Sequence, residues 1–92
     1  MKLKIHRESD EPNCYFIELS NSRNHLCFSS DIIKYLNISK IEYDTIMKQH
    51  NGYIYRAQQW EKADWTFKTE EDTQGAIRNL EPYLIMANLM GE

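Results

Sequence analysis

The chain has 92 residues with 11 basic and 14 acidic side chains, a net charge of −3; that length is one domain, and the basic excess with which non-specific nucleic-acid binders neutralise phosphates is missing. Hydrophobic residues at 41% and aromatics at 12% exclude a disordered chain, and the longest apolar stretch is broken by Pro82 and Asn88, too short to span a bilayer. Met1-Lys2-Leu3-Lys4 has no apolar segment behind it, so no signal peptide is expected, and two cysteines are fewer than a small secreted domain carries, which makes the cytoplasm the expected location.

Leu3-Lys4-Ile5-His6 alternates apolar and polar and predicts a short strand. A turn cluster, Glu8 to Asn13, follows, with Pro12 barring a continued ladder. Cys14 to Leu19 and His25 to Phe28 flank Asn21-Ser22-Arg23-Asn24, a hairpin pattern. With Ser20 facing His25, Leu19 pairs with Leu26 and Ile17 with Phe28. Tyr15, Ile17, Leu19, Leu26 and Phe28 then share one face, while Cys14, Phe16, Glu18 and Cys27 share the other. Cys27 faces Glu18, four residues along the strand from Cys14. At about 3.3 Å per residue the sulfurs are too far apart to bridge, so two free thiols are expected.

Ser29-Ser30-Asp31 reads as the N-cap and first turn of a helix over Asp31 to Leu36. Ser39-Lys40-Ile41-Glu42 is a capping box, Ile38 can staple onto Tyr43, and Ile46, Met47 and His50 continue one face until Asn51-Gly52 supplies a left-handed stop. Tyr53 to Trp60 and Ala63 to Lys68 predict a second hairpin around Glu61-Lys62, with large residues on both faces that leave its register open. Thr69-Glu70-Glu71-Asp72 resembles another capping box. Ala76, Ile77, Leu80, Tyr83, Leu84 and Ala87 form an apolar stripe, which Pro82 either kinks or splits into two helices. The order is β-β-β-α-α-β-β-α. It predicts a small single α+β domain of antiparallel hairpins, a central helical hairpin and a C-terminal helix.

Catalytic chemistry finds no foothold. The glycines, Gly52, Gly75 and Gly91, make no phosphate loop, and no nucleophile or metalloprotease motif is present. His6, His25 and His50 have no carboxylate at motif spacing, and His25-x-Cys27 has no second pair at finger-like distance. A non-enzymatic protein without catalytic residues, metal or cofactor is expected. Asp31 to Asn51 has helix-turn-helix spacing, with Ile32, Leu36, Ile38, Tyr43 and Ile46 at packing positions and Asn37 where such units usually carry Gly. Ile33 departs from the pattern, which wants a small residue there. On the exposed side of the second helix Glu42 and Asp44 accompany Lys40, Thr45, Lys48 and Gln49, and acids repel phosphates. An ordinary helical hairpin in the core is the competing reading.

The second hairpin gathers Arg56, Trp60, Glu61, Lys62, Asp64 and Trp65 near its turn. Tryptophan and arginine dominate binding energy when a partner desolvates them, and mixed charge suits a protein surface better than a phosphate backbone. That turn is the expected partner contact, with Lys40, Lys48 and Gln49 on the exposed side of the preceding helix as the second choice. In the competing arrangement Trp60 and Trp65 pair across the strands and pack under the last helix.

The run Leu26-Cys27-Phe28-Ser29-Ser30-Asp31-Ile32-Ile33-Lys34-Tyr35-Leu36-Asn37-Ile38-Ser39, with Phe67-Lys68-Thr69-Glu70-Glu71-Asp72 and Asn79-Leu80-Glu81-Pro82-Tyr83-Leu84, resembles small uncharacterised proteins of low-GC Gram-positive bacteria and their phages. The absence of valine beside ten isoleucines fits an AT-rich genome. The resemblance implies an accessory protein that inhibits a host enzyme, anti-CRISPR proteins being one such kind, and it carries no site residues. The expected function is therefore a protein-binding module, an inhibitor of a host defence complex acting by direct contact. Its partner would be a host protein or protein complex, with no membrane partner. The alternative is a helix-turn-helix DNA-binding regulator.

Overall fold

The structure, a computed structural model, describes residues 1–56 and 62–91, the last two of these by their backbone alone. Its elements follow the expected order: β1 (Lys2–Arg7), β2 (Tyr15–Ser20), β3 (His25–Leu26), α1 (Ser29–Leu36), α2 (Lys40–Gln49), β4 (Tyr53–Tyr55), β5 (Asp64–Thr66) and α3 (Glu70–Gly91). The fold is α+β. β1, β2 and β3 form one antiparallel sheet in that order, and β4 and β5 a second. A bridge between Tyr15 and Phe67 ties the two, with Tyr15 N donating to Phe67 O at 2.9 Å and Phe67 N to Tyr15 O at 2.8 Å.

The first hairpin has the expected register, Ser20 opposite His25 and Leu19 opposite Leu26. Ile17 and Leu19 are buried in the core, and both cysteines are free. Phe28 is a correction. β3 stops at Leu26 because the chain turns out to start α1, where the Phe28 carbonyl accepts from Asp31 N and Ile32 N. Phe28 therefore joins His6, Phe16 and Cys27 on the outer face of the sheet, around a small cavity. Phe16 is buried there although it faces away from the core, because the His6 ring stacks on it at 4.5 Å.

α3 is the hub. It packs on β1 and β2, and α1 and α2 each contact it more than they contact one another. Its stripe of Ala76, Ile77, Leu80 and Leu84 is buried, as the 3.6-residue period requires. The helix runs unbroken through Pro82, so it does not split there. Pro82 has no N–H to donate to the Arg78 carbonyl, and both residues lie on the exposed side of the helix. Thr69 caps the start, its hydroxyl accepting from Asp72 N at 3.1 Å.

α2 also starts as expected, with Ser39 Oγ accepting from Glu42 N at 3.1 Å. The reciprocal half of the box differs: the Glu42 carboxylate takes a hydrogen bond from the Tyr83 hydroxyl of α3. At the far end Asn51, φ 62°, supplies the left-handed residue. Gly52 is needed for space, since a Cβ there would lie 2.8 Å from the Met47 carbonyl oxygen. Gly75 likewise makes room for the His50 ring, whose Nε2 sits 2.7 Å from Asn79 Oδ1.

Among the described residues the second hairpin pairs β4 with β5. Its ladder pairs Tyr53 with Thr66, Ile54 with Trp65 and Tyr55 with Asp64. A tight turn at Glu61-Lys62 would instead set Tyr55 opposite Lys68, so the observed register is offset by four residues. An even offset keeps each residue on its own face.

Candidate functional site

α1 begins two residues earlier than expected, at Ser29, and no local side chain caps it. Its cap comes from β5. The Asp64 carboxylate accepts from Ser29 N at 2.9 Å through Oδ2 and from Ser29 Oγ at 2.5 Å through Oδ1. Trp65 N lies 2.6 Å from the same Oδ1. A carboxylate at a helix N-terminus satisfies orphan N–H groups and meets the positive end of the dipole. The network extends in both directions: Ser29 Oγ is 3.2 Å from the Tyr43 hydroxyl, and Trp65 Nε1 donates to Asp44 Oδ1 at 3.0 Å. Tyr43 is buried, and that burial is the main reason its phenol is pushed far up, out of the titrating range of an ordinary tyrosine. Its hydrogen bond to Ser29 opposes the shift, and the charges of Asp64 and Asp44 add to it.

This network floors a groove of about 420 Å³. α1 contributes Ser29, Ser30 and Ile33, α2 contributes Lys40 and Asp44, and β4 contributes Ile54. Lys62, Ala63, Asp64 and Trp65 close the other side. Ile54 is 55% exposed, because alternation along β4 turns it away from the face that carries Tyr53 and Tyr55. Lys40 reaches Asp44 Oδ2 at 2.6 Å with its side chain still 78% exposed. Lys62 Nζ stands 4.5 Å over the Phe28 ring and 3.5 Å from Ser30 Oγ.

The groove joins the two surfaces that the sequence nominates separately. Lys62, Asp64 and Trp65 of the second hairpin meet Lys40 of α2 in it. Lys48, Gln49 and Arg56 are exposed but lie outside its lining. Trp60 and Glu61 fall outside the described residues. Two assignments change in kind. Asp64 is 8% exposed and its carboxylate is committed to Ser29 and Trp65, so it builds the wall rather than presenting charge. Trp65 is half-buried against the core and its indole N–H is committed to Asp44, so it is not a free ring. Sequence reasoning missed Ile54, which the period-two pattern could have found; it named Asp44 only as an exposed acid of α2 and Ser29 only as part of the start of α1.

A second cluster sits on the outer face of the three-stranded sheet. Although no motif spacing pairs the histidines with an acid, the register brings Glu18 to them. Glu18 Oε1 is 3.8 Å from His6 Nδ1, 3.4 Å from His25 Nδ1 and 3.8 Å from Cys27 Sγ, the last as a thiol donor. Burial, then the Glu18 charge, push the Cys27 thiol up, which disfavours the nucleophilic thiolate. Among the described residues no group of three His, Cys, Asp or Glu side chains is arranged to hold a metal ion. No described helix is long and apolar enough to cross a membrane.

No family model, no curated protein and no solved structure matches the chain.

Proposed function

We propose that the protein is a non-enzymatic binding module that holds a protein partner in the groove between α1, α2 and the second hairpin. The observation that carries this reading is Ile54, a large aliphatic side chain left exposed beside Trp65, with Lys40 and Lys62 at the rim. An apolar centre with an amphipathic aromatic and a charged rim is the anatomy of a protein contact. The role we propose for it, from the resemblance that the run Leu26 to Ser39 carries and from the small size of the chain, is an inhibitor of a host defence complex, of the anti-CRISPR kind, that works by occupying a surface.

The test is a capture experiment from the lysate of a low-GC host, with the wild-type chain and Ile54→Arg side by side. A stoichiometric protein retained by the wild type and lost from the folded variant supports the reading. Equal capture by both moves the contact elsewhere, and recovery of DNA in place of protein ends it. The helix-turn-helix alternative is supported by Asn37, whose left-handed φ of 53° makes the tight turn between α1 and α2. Against it stand Glu42, exposed on α2, and the missing basic excess, the chain being at −3. A low-salt gel shift against the upstream region of its own gene decides, and no shift at micromolar protein removes it.

A further inference from the structure

Among the described residues the groove holds two acids, Asp44 and Asp64, and two bases, Lys40 and Lys62, which differ in what they show to solvent. Asp64 accepts three internal donors, Ser29 N, Ser29 Oγ and Trp65 N, and is buried. Asp44 accepts from the Trp65 indole through one oxygen and from Lys40 through the other. Both carboxylates therefore belong to the floor. The ammonium groups do not: Lys40 and Lys62 are exposed at the rim, held by an exposed i,i+4 pair for Lys40 and, for Lys62, by a long contact to Ser30 and the face of the Phe28 ring. Such exposed contacts are weak and easily exchanged for a partner's carboxylate. Between the lysines lie the apolar atoms of Ile33, Ile54 and Ala63.

We infer that the groove takes an acidic protein segment, with an aliphatic side chain seated on Ile54 and carboxylates on either side of it meeting Lys40 and Lys62. The inference rests on the reading of the groove as a protein contact and specifies its partner's chemistry. Charge complementarity selects this occupant. A basic segment would place its cations against the two ammonium groups, while the described acids already accept internal donors, Asp64 from Ser29 and Trp65 N and Asp44 from the Trp65 indole. A nucleic acid fits less well: two lysines neutralise few phosphates, the chain as a whole is at −3, and the apolar floor has no use on a phosphate backbone.

The experiment is a ¹⁵N–¹H correlation titration of the full chain, read at the Trp65 indole N–H and the Ile54 and Ser30 amides. The probes are Ac-Glu-Asp-Leu-Glu-Asp-NH2, its uncharged isostere Ac-Gln-Asn-Leu-Gln-Asn-NH2, and a ten-residue oligo-dT. The acidic peptide is expected to shift these signals saturably. The isostere should bind about tenfold more weakly, as loss of two rim charge pairs implies, and added salt should close the gap. Lys62→Glu, a surface change, should remove the acidic peptide's binding while leaving the spectrum dispersed. Equal binding of the isostere overturns the acidic preference but leaves the groove as a peptide site. Absence of any shift up to about 5 mM acidic peptide, where millimolar affinity would show, overturns the inference and leaves the Ile54→Arg capture result to judge the broader reading. Shifts with oligo-dT at the same signals, or shifts on simple dilution of the peptide-free chain, overturn it in favour of nucleic acid or a second copy.

Discussion

The two short helices begin in contrasting ways. α2 is capped from within its own sequence by Ser39, which receives Glu42 N. α1 has no local cap, and Asp64, 35 residues further on, takes its first N–H. Both solve the problem of unsatisfied donors at a helix start, but they do different work. The local cap stabilises one turn. The remote one fastens α1 to β5 and, through Trp65 and Asp44, to α2, so the same carboxylate that starts a helix also sets the width of the groove.

Replacing the remote cap should do the most damage. Asp64→Ala leaves Ser29 N and Trp65 N without their acceptor in a buried position, a loss of about 3 kcal/mol. It is measured by urea unfolding, and Asp64→Asn, which keeps an acceptor oxygen, should lose less. A loss no greater than that of Ser39→Ala would break the contrast. The far end of α2 gives the next largest effect, since there α2 too depends on a distant element. A Cβ on Gly75 would lie 2.5 Å from His50 Nδ1. Gly75→Ala should therefore cost about 1–2 kcal/mol despite the better helix propensity of alanine. Adding His50→Ala should recover much of that loss; additive losses would show that the two residues do not interact. Ser39→Ala, the local cap, should cost about 1 kcal/mol, and an unchanged melting temperature would contradict the Ser39–Glu42 bond.

Tyr43, which touches Ser29 between the two helices, sharpens the comparison at high pH only. Its folded pKa is raised, chiefly by burial, above that of the unfolded chain. The neutral phenol therefore favours the folded state. That contribution is whole below the ordinary tyrosine range near about 10 and is lost as pH climbs beyond it. Tyr43→Phe should flatten the alkaline limb of the stability curve, monitored by denaturant midpoint against pH. An identical limb would mean that Tyr43 does not govern it.

What the sequence by itself determined rests on short-range periodicity. The Ser20–His25 register, the Ser39 and Thr69 caps, the buried stripe of α3 and the separation of the two thiols each follow from spacings of a few residues, because side-chain direction repeats every 2 or 3.6 positions. The candidate site was legible in parts: Lys40, Lys62, Asp64 and Trp65 stood out as residues, but their union in one groove did not. Tertiary structure alone decided that Asp64 is a cap and not a surface charge, that Phe28 crosses to the outer face, and that Glu18 gathers His6, His25 and Cys27. A side chain with two acceptor oxygens is the same letter whether it meets water or a helix end, and only the packing of β5 against α1, through residues distant in sequence, chooses between them.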